Sequence, residues 1–156
     1  MISGCSKSPK TDNHRNTTMF HDHEIEYPEI NISRGNSQIV SARSQYLIKN
    51  GDSDALLKGK VSADFYNEDG DHVSILYSDS AHINQRTNNL RAMGNVRVVS
   101  DSGYTLSANT ILWDNQYKII TSEDSVLLTD KSKNIIKGIG FESDMDFFVT
   151  SLIFKL

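Results

Sequence analysis

Apolar and polar residues alternate with a period of two along most of this chain, and Gly, Asn and Asp interrupt the alternation at short intervals. The stretch Leu90 to Asp114, LRAMGNVRVVSDSGYTLSANTILWD, shows the pattern most clearly. Leu90 and Ala92 lead to a turn signal at Gly94-Asn95, Val96 and Val98 lead to another at Asp101-Ser102-Gly103, and Tyr104, Leu106 and Ala108 follow. The phase slips at Asn109-Thr110, after which Ile111 and Trp113 point the same way. A period of two is that of a strand with one buried face, because successive side chains leave opposite sides of the pleat. Short one-faced strands between turns predict an all-β fold.

The rest of the chain extends the pattern. Residues 1–23 are polar, without periodicity, and read as a flexible tether, so the folded domain is expected over 24–156. Ile25, Tyr27, Ile30 and Ile32 form a first strand region that Pro28 confines to an edge or a bulge. Ile39 to Ile48 suits two short strands kinked near Arg43-Ser44, and Ser53 to Lys58 suits a helical turn. Val61, Ala63 and Phe65 share one face, Asn67 to Gly70 is a hairpin turn, and Val73, Ile75 and Tyr77 are expected to face inward together. Ala81 and Ile83 follow a corner at Ser78-Asp79-Ser80; Ile119-Ile120, Val126 with Leu128, Ile135-Ile136 and the run Phe147 to Leu156 complete the set.

These pieces overlay on one another. Ile83, Val96, Val98 and Leu106 correspond to Trp113, Val126, Leu128 and Ile136, and Gly59-Lys60-Val61 resembles Gly94-Asn95-Val96. A unit of roughly 30–35 residues with one apolar face cannot bury that face alone, so units must stack. The expected architecture is an open-ended β-jellyroll, or flattened roll, of short antiparallel strands with free edges at both ends. Small inward residues such as Ala63, Ala81, Ala92, Ala108 and Gly138 mixed with Phe65, Trp113 and Phe141 suit a groove, and an exposed apolar groove needs a cargo or partner.

A formal charge of −4 with scattered basic residues argues against nucleic acid. No run approaches the roughly 20 apolar residues of a transmembrane helix. His14, His21 and His23 are spaced too weakly for a metal site and read as a solvated tail. The carboxylate sets Glu123-Asp124 and Glu142, Asp144 and Asp146 sit beside turns, where acidic residues serve the backbone. No nucleophile elbow and no phosphate-binding glycine loop is present. No catalytic function, cofactor or metal is expected. Ile2-Ser3-Gly4-Cys5 has the order of a bacterial lipoprotein processing site followed by a polar tail. Lipidation of Cys5, with the signal region encoded upstream of Met1, is the matching expectation.

The runs Leu90 to Asp114, ITSEDSVLLT and IKGIGFESDMD resemble the LptC family, most closely at Gly94-Asn95-Val96, Leu106 to Asp114 and Gly138 to Asp146. The bridge protein LptA shares that fold. The resemblance implies a membrane-anchored periplasmic jellyroll that takes lipopolysaccharide from an inner-membrane ABC transporter of the LptB, LptF and LptG type and passes it to an LptA-like bridge. It implies a lipid path walled by Phe65, Ile75, Tyr77, Ile83, Val96, Val98, Leu106, Trp113, Val126 and Leu128, with a lipid anchor on Cys5 in place of the family's transmembrane helix. The last strand, with Phe148, Leu152 and Phe154, is the expected docking edge. The alternatives are a soluble LptA-like bridge and a self-assembling structural β-roll.

Overall fold

The computed structural model describes residues 24–51, 54–145, 147 and 150–152. Cys5, the three tail histidines, Asp146, Phe148 and Phe154 lie outside them. Among the described residues the chain forms strands β1 (Glu24–Glu26), β2 (Glu29–Arg34), β3 (Ser37–Arg43), β4 (Tyr46–Asn50), β5 (Asp54–Tyr66), β6 (His72–Asn84), β7 (Leu90–Ser100), β8 (Thr105–Asp114), β9 (Ile119–Thr129), β10 (Ile135–Asp144) and β11 (Thr150–Leu152). All pair antiparallel with their neighbours, as an all-β jellyroll requires.

Two sequence expectations change here. Gly94-Asn95 is a corner inside β7 rather than a turn between strands, and Asp54 to Lys58 is the start of β5 rather than a helical turn. The alternation of Ala55 and Leu57, both buried, already fits a strand. Five residues cannot sustain a helix against that pull.

The long strands bend in the middle. Pairing registers shift between Lys58 and Val61, Tyr77 and Ser80, Met93 and Val96, Ser107 and Leu112, and Ile139 and Phe141. Such bulges turn a strand and strengthen its twist. Because they fall at matching places on successive strands, the sheet folds over along one line of corners. The chain breaks at the same line earlier on: β1 and β4 pair with each other, and β2 with β3, so the two pairs are the halves of one bent hairpin whose arms are interrupted at Tyr27-Pro28 and Ser44-Gln45. On β5, residues 54–58 pair with β4 and residues 62–65 with β3. The halves of each strand thus belong to two facing walls. One holds Trp113 and the other Phe65, and their apolar faces meet between them.

Corner chemistry explains why these residues stand there. Gly94 has φ +80, and a Cβ on it would lie 2.7 Å from Asp79 Oδ2, so the backbone of β7 comes close to β6. Asn95 continues the left-handed path at φ 47 and donates from Nδ2 to the same Asp79 oxygen at 2.9 Å. Bulging frees carbonyls from the ladder, and buried serines answer them: Ser44 Oγ donates to Tyr46 O at 2.8 Å, Ser78 Oγ to Ser80 O at 2.9 Å and Ser122 Oγ to Thr110 O at 2.7 Å. A buried carbonyl left unpaired would be destabilising, so a corner serine is the economical choice.

Turns repeat with the same period. Asn84 Oδ1 accepts from Arg86 and Thr87 N, and Asp114 Oδ1 accepts from Gln116 and Tyr117 N, thirty positions on. On the other wall Gly70, Gly103 and Lys133 each donate N–H three residues back, to Asn67, Ser100 and Asp130, from a left-handed conformation. The period legible in the sequence is therefore one pair of strands with one turn from each row.

Candidate functional site

The interior is where the repeat leads. On the Phe65 wall the pairing register aligns Ile30, Ala42, Ala63, Leu76, Val98, Leu106, Leu128 and Ile136, one residue from each of eight successive strands. At a strand spacing of about 4.8 Å this apolar lane is roughly 33 Å long. Its middle is fully buried, with Leu76, Val98 and Leu106 at 0% exposure. Its two ends differ: Ile30 is partly buried against the core, whereas Ile136 is 38% exposed where the sheet stops. Across the gap the Trp113 wall supplies the row Ala55, Ile83, Leu90, Trp113 and Ile120, also buried.

Of the expected lipid-path residues, Phe65, Ile83, Val96, Val98, Leu106, Trp113, Val126 and Leu128 all lie in this enclosed core. Ile75 and Tyr77 do not. They occupy the outer face, Tyr77 38% exposed beneath the Arg97 guanidinium 5.2 Å from its ring centre. A bulge is responsible: the β5–β6 register shifts between Phe65 and Tyr66, so Ser74 pairs with Phe65 while His72 pairs with Tyr66, leaving Val73 extra. One extra residue moves everything after it to the opposite face. Val73 still packs on the core, but Ser74 and Leu76 take the inward positions after it. Leu76 and Ala42 are interior lane positions outside the expected lipid path, and Ile136, aligned with Leu106 in the repeat, is the lane's exposed end. Nothing in the run VSILYS marks the bulge, since both phases carry aliphatics.

Opposite the corners, the two rows of turns meet at a seam. Arg34 Nη2 donates to Asn115 O at 2.8 Å, and Lys118 Nζ pairs with the Glu68 carboxylate, each contact linking one wall to the other. The Lys118 hydrogen bond, more than its charge alone, holds the Glu68 carboxyl below its ordinary pKa. Tyr104 and Phe147 stack 6.1 Å apart farther along. Beneath the Glu68–Lys118 bridge lies a cavity of about 140 Å³, lined by Ile39, Phe65, Tyr66, Asn67, Val73, Trp113, Lys118, Asp144 and Met145. Trp113 is 1% exposed, and its indole Nε1 is enclosed without a hydrogen-bond partner.

The outer side of the Phe65 wall carries the main titratable cluster. His72 Nε2 lies 2.9 Å from Asp64 Oδ1 and its Nδ1 2.7 Å from Asp101 Oδ2, while Arg43 Nη2 also binds Asp64, at 2.9 Å. Burial works against the His72 proton, but the hydrogen bonds to Asp101 and Asp64 outweigh it and raise the His72 pKa. The cluster ties β3, β5, β6 and the β7–β8 turn together without touching the interior. Glu123 and Asp124 sit at the β9 corner, Glu142 lies exposed on β10, and Asp144 lines the seam cavity.

Free edges flank the lane. β2 pairs with β3, and β11 covers β10 at Phe141 to Ser143, leaving the β10 edge from Ile135 to Ile139 open among the described residues. Ile135, Ile136 and Ile139 are exposed there. Leu152, expected at the docking edge, closes β11, the strand that ends the Trp113 wall.

No curated protein of similar sequence is found. The OstA-like protein family matches residues 46–145, from β4 to the end of β10, and so covers both walls and most of the lane. With well over half its length in that match, the chain belongs to the OstA-like family, which LptA- and LptC-type proteins share.

Proposed function

We propose that this protein carries lipopolysaccharide through the periplasm, in the manner of LptC: tethered through Cys5, it accepts the lipid from an inner-membrane ABC transporter and hands it to an LptA-like bridge. The apolar lane carries this reading. An eight-strand row of aliphatics that surfaces at the edge of the sheet suits long acyl chains, each methylene of which is worth about 0.8 kcal/mol out of water. OstA-like proteins are periplasmic envelope components that bind lipopolysaccharide in the Lpt system, which fits the same cargo. The role needs no catalytic step, because transfer between apolar lanes moves lipid without breaking bonds. Free edges at both ends also suit the soluble LptA-like bridge, which requires docking on either side.

Trp113 is the sole tryptophan, so its emission reports on the interior. Titration with lipopolysaccharide is expected to shift that emission saturably, and sugars lacking acyl chains to leave it unchanged. An emission indifferent to the lipid would defeat the carrier reading.

A further inference from the structure

The carrier reading, on which this inference rests, needs acyl chains to reach an interior that the two walls enclose. The seam cavity joins three features that point to how. Its walls are apolar, from Ile39, Phe65, Val73 and Met145. Trp113, which lines it, keeps an enclosed indole N–H with no acceptor, a donor that an incoming polar group would satisfy. Lys118 also lines it, and its partner Glu68 has a side chain 77% exposed, so the bridge that closes the seam is a surface ion pair of the kind that adds little stability. Asp144 is the carboxylate on this lining, and its backbone pairs with Ile119, the residue after Lys118.

We propose that lipid enters and leaves sideways through this seam, with Lys118 exchanging Glu68 for the anionic headgroup while an acyl chain passes between Phe65 and Trp113. The ligand class is an acylated amphiphile bearing phosphate or carboxylate. Exchange of one anion for another keeps Lys118 paired throughout, so the latch opens in the act of capturing its cargo. The Arg34 contact to Asn115 is the neighbouring tie across the same seam, and it must part as well.

Locking the seam tests this. In full-length protein carrying Cys5→Ser, cysteines at Arg34 and Asn115 are joined by a short reducible bis-methanethiosulfonate linker, which leaves Lys118 and Glu68 intact. Uptake of phosphorylated lipid A, followed through Trp113 emission, is expected to slow at least about tenfold when bridged and to recover on reduction. Equal rates with and without the bridge overturn the seam route and leave the carrier reading standing. No uptake by the reduced protein overturns both. In the second arm, Lys118→Gln slows uptake of phosphorylated lipid A about tenfold but not of its dephosphorylated form, while Lys118→Arg retains it. Equal slowing with both lipids overturns the headgroup role.

Discussion

Phe65 and Trp113 come from opposite walls of the roll and meet edge to face, ring centroids 5.3 Å apart and planes at 64°. That geometry is favourable for aromatic rings beyond the area they bury. The pair pins the Phe65 wall to the Trp113 wall on the seam side of the fold, away from the corners. Trp113→Ala is expected to lower stability by about 3–5 kcal/mol in urea unfolding. Trp113→Phe removes no hydrogen bond, since Nε1 has no partner, and should cost under about 2 kcal/mol. Equal losses for the two variants would show that the indole N–H is paired after all.

Gly94 tests the corner. Gly94→Ala and Gly70→Ala both force a side chain into a left-handed backbone, at φ +80 and +86, but only the Gly94 methyl meets an obstacle, Asp79 Oδ2 at 2.7 Å. The left-handed conformation costs about 1–2 kcal/mol at either site, and Gly94→Ala should lose roughly 1 kcal/mol more. Adding Asp79→Ala should recover part of that excess, a coupling readable in a double-mutant cycle. Equal losses at the two glycines would mean that β6 yields freely at the corner.

How much of this was legible in the sequence depends on where phase is kept. From Leu90 to Val98 the apolar positions match the buried ones across the corner, because Gly94 and Asn95 together absorb the bend without inverting the faces. At Val73 a single extra residue inverts them, and Ile75 and Tyr77, read as lipid path, face outward. Leu76 belongs to the lane instead. The seam was invisible for a different reason. Glu68 and Lys118 are fifty positions apart in two polar turns, and only folding the sheet along its corners brings them together.

The His72 bridge predicts a pH dependence. Hydrogen bonds to Asp101 and Asp64 raise its folded pKa above the unfolded value of about 6.5, and Arg43 competes for Asp64. A raised pKa means that the folded state binds the proton more tightly. The stabilisation is therefore complete below about pH 6.5 and lost as pH rises through the folded value. The stability gap between the natural protein and His72→Gln should shrink as pH rises above about 6.5 in urea unfolding. A gap that stays constant as pH rises would contradict the bridge.

The open β10 edge predicts a docking contact. Ile139 is exposed beside Lys137, with Lys131 and Lys133 in the adjoining turn, whereas the opposite edge of the roll carries Glu24, Glu26 and Glu29. Ile139→Asp should weaken association with an LptA-like partner about tenfold in a binding titration while changing stability by less than about 0.5 kcal/mol. Unchanged binding would move the docking contact elsewhere.

Carriage of lipid along the lane of the Phe65 wall is open to direct measurement. A photo-reactive amino acid placed in living cells at Leu106, in the middle of the lane, and at Ile136, at its open end, measures this directly. Tyr77 on the outer face serves as the control. Lipopolysaccharide adducts are expected at Leu106 and Ile136 and none at Tyr77. Adducts absent from both lane positions, or equally abundant at Tyr77, would contradict carriage along the lane.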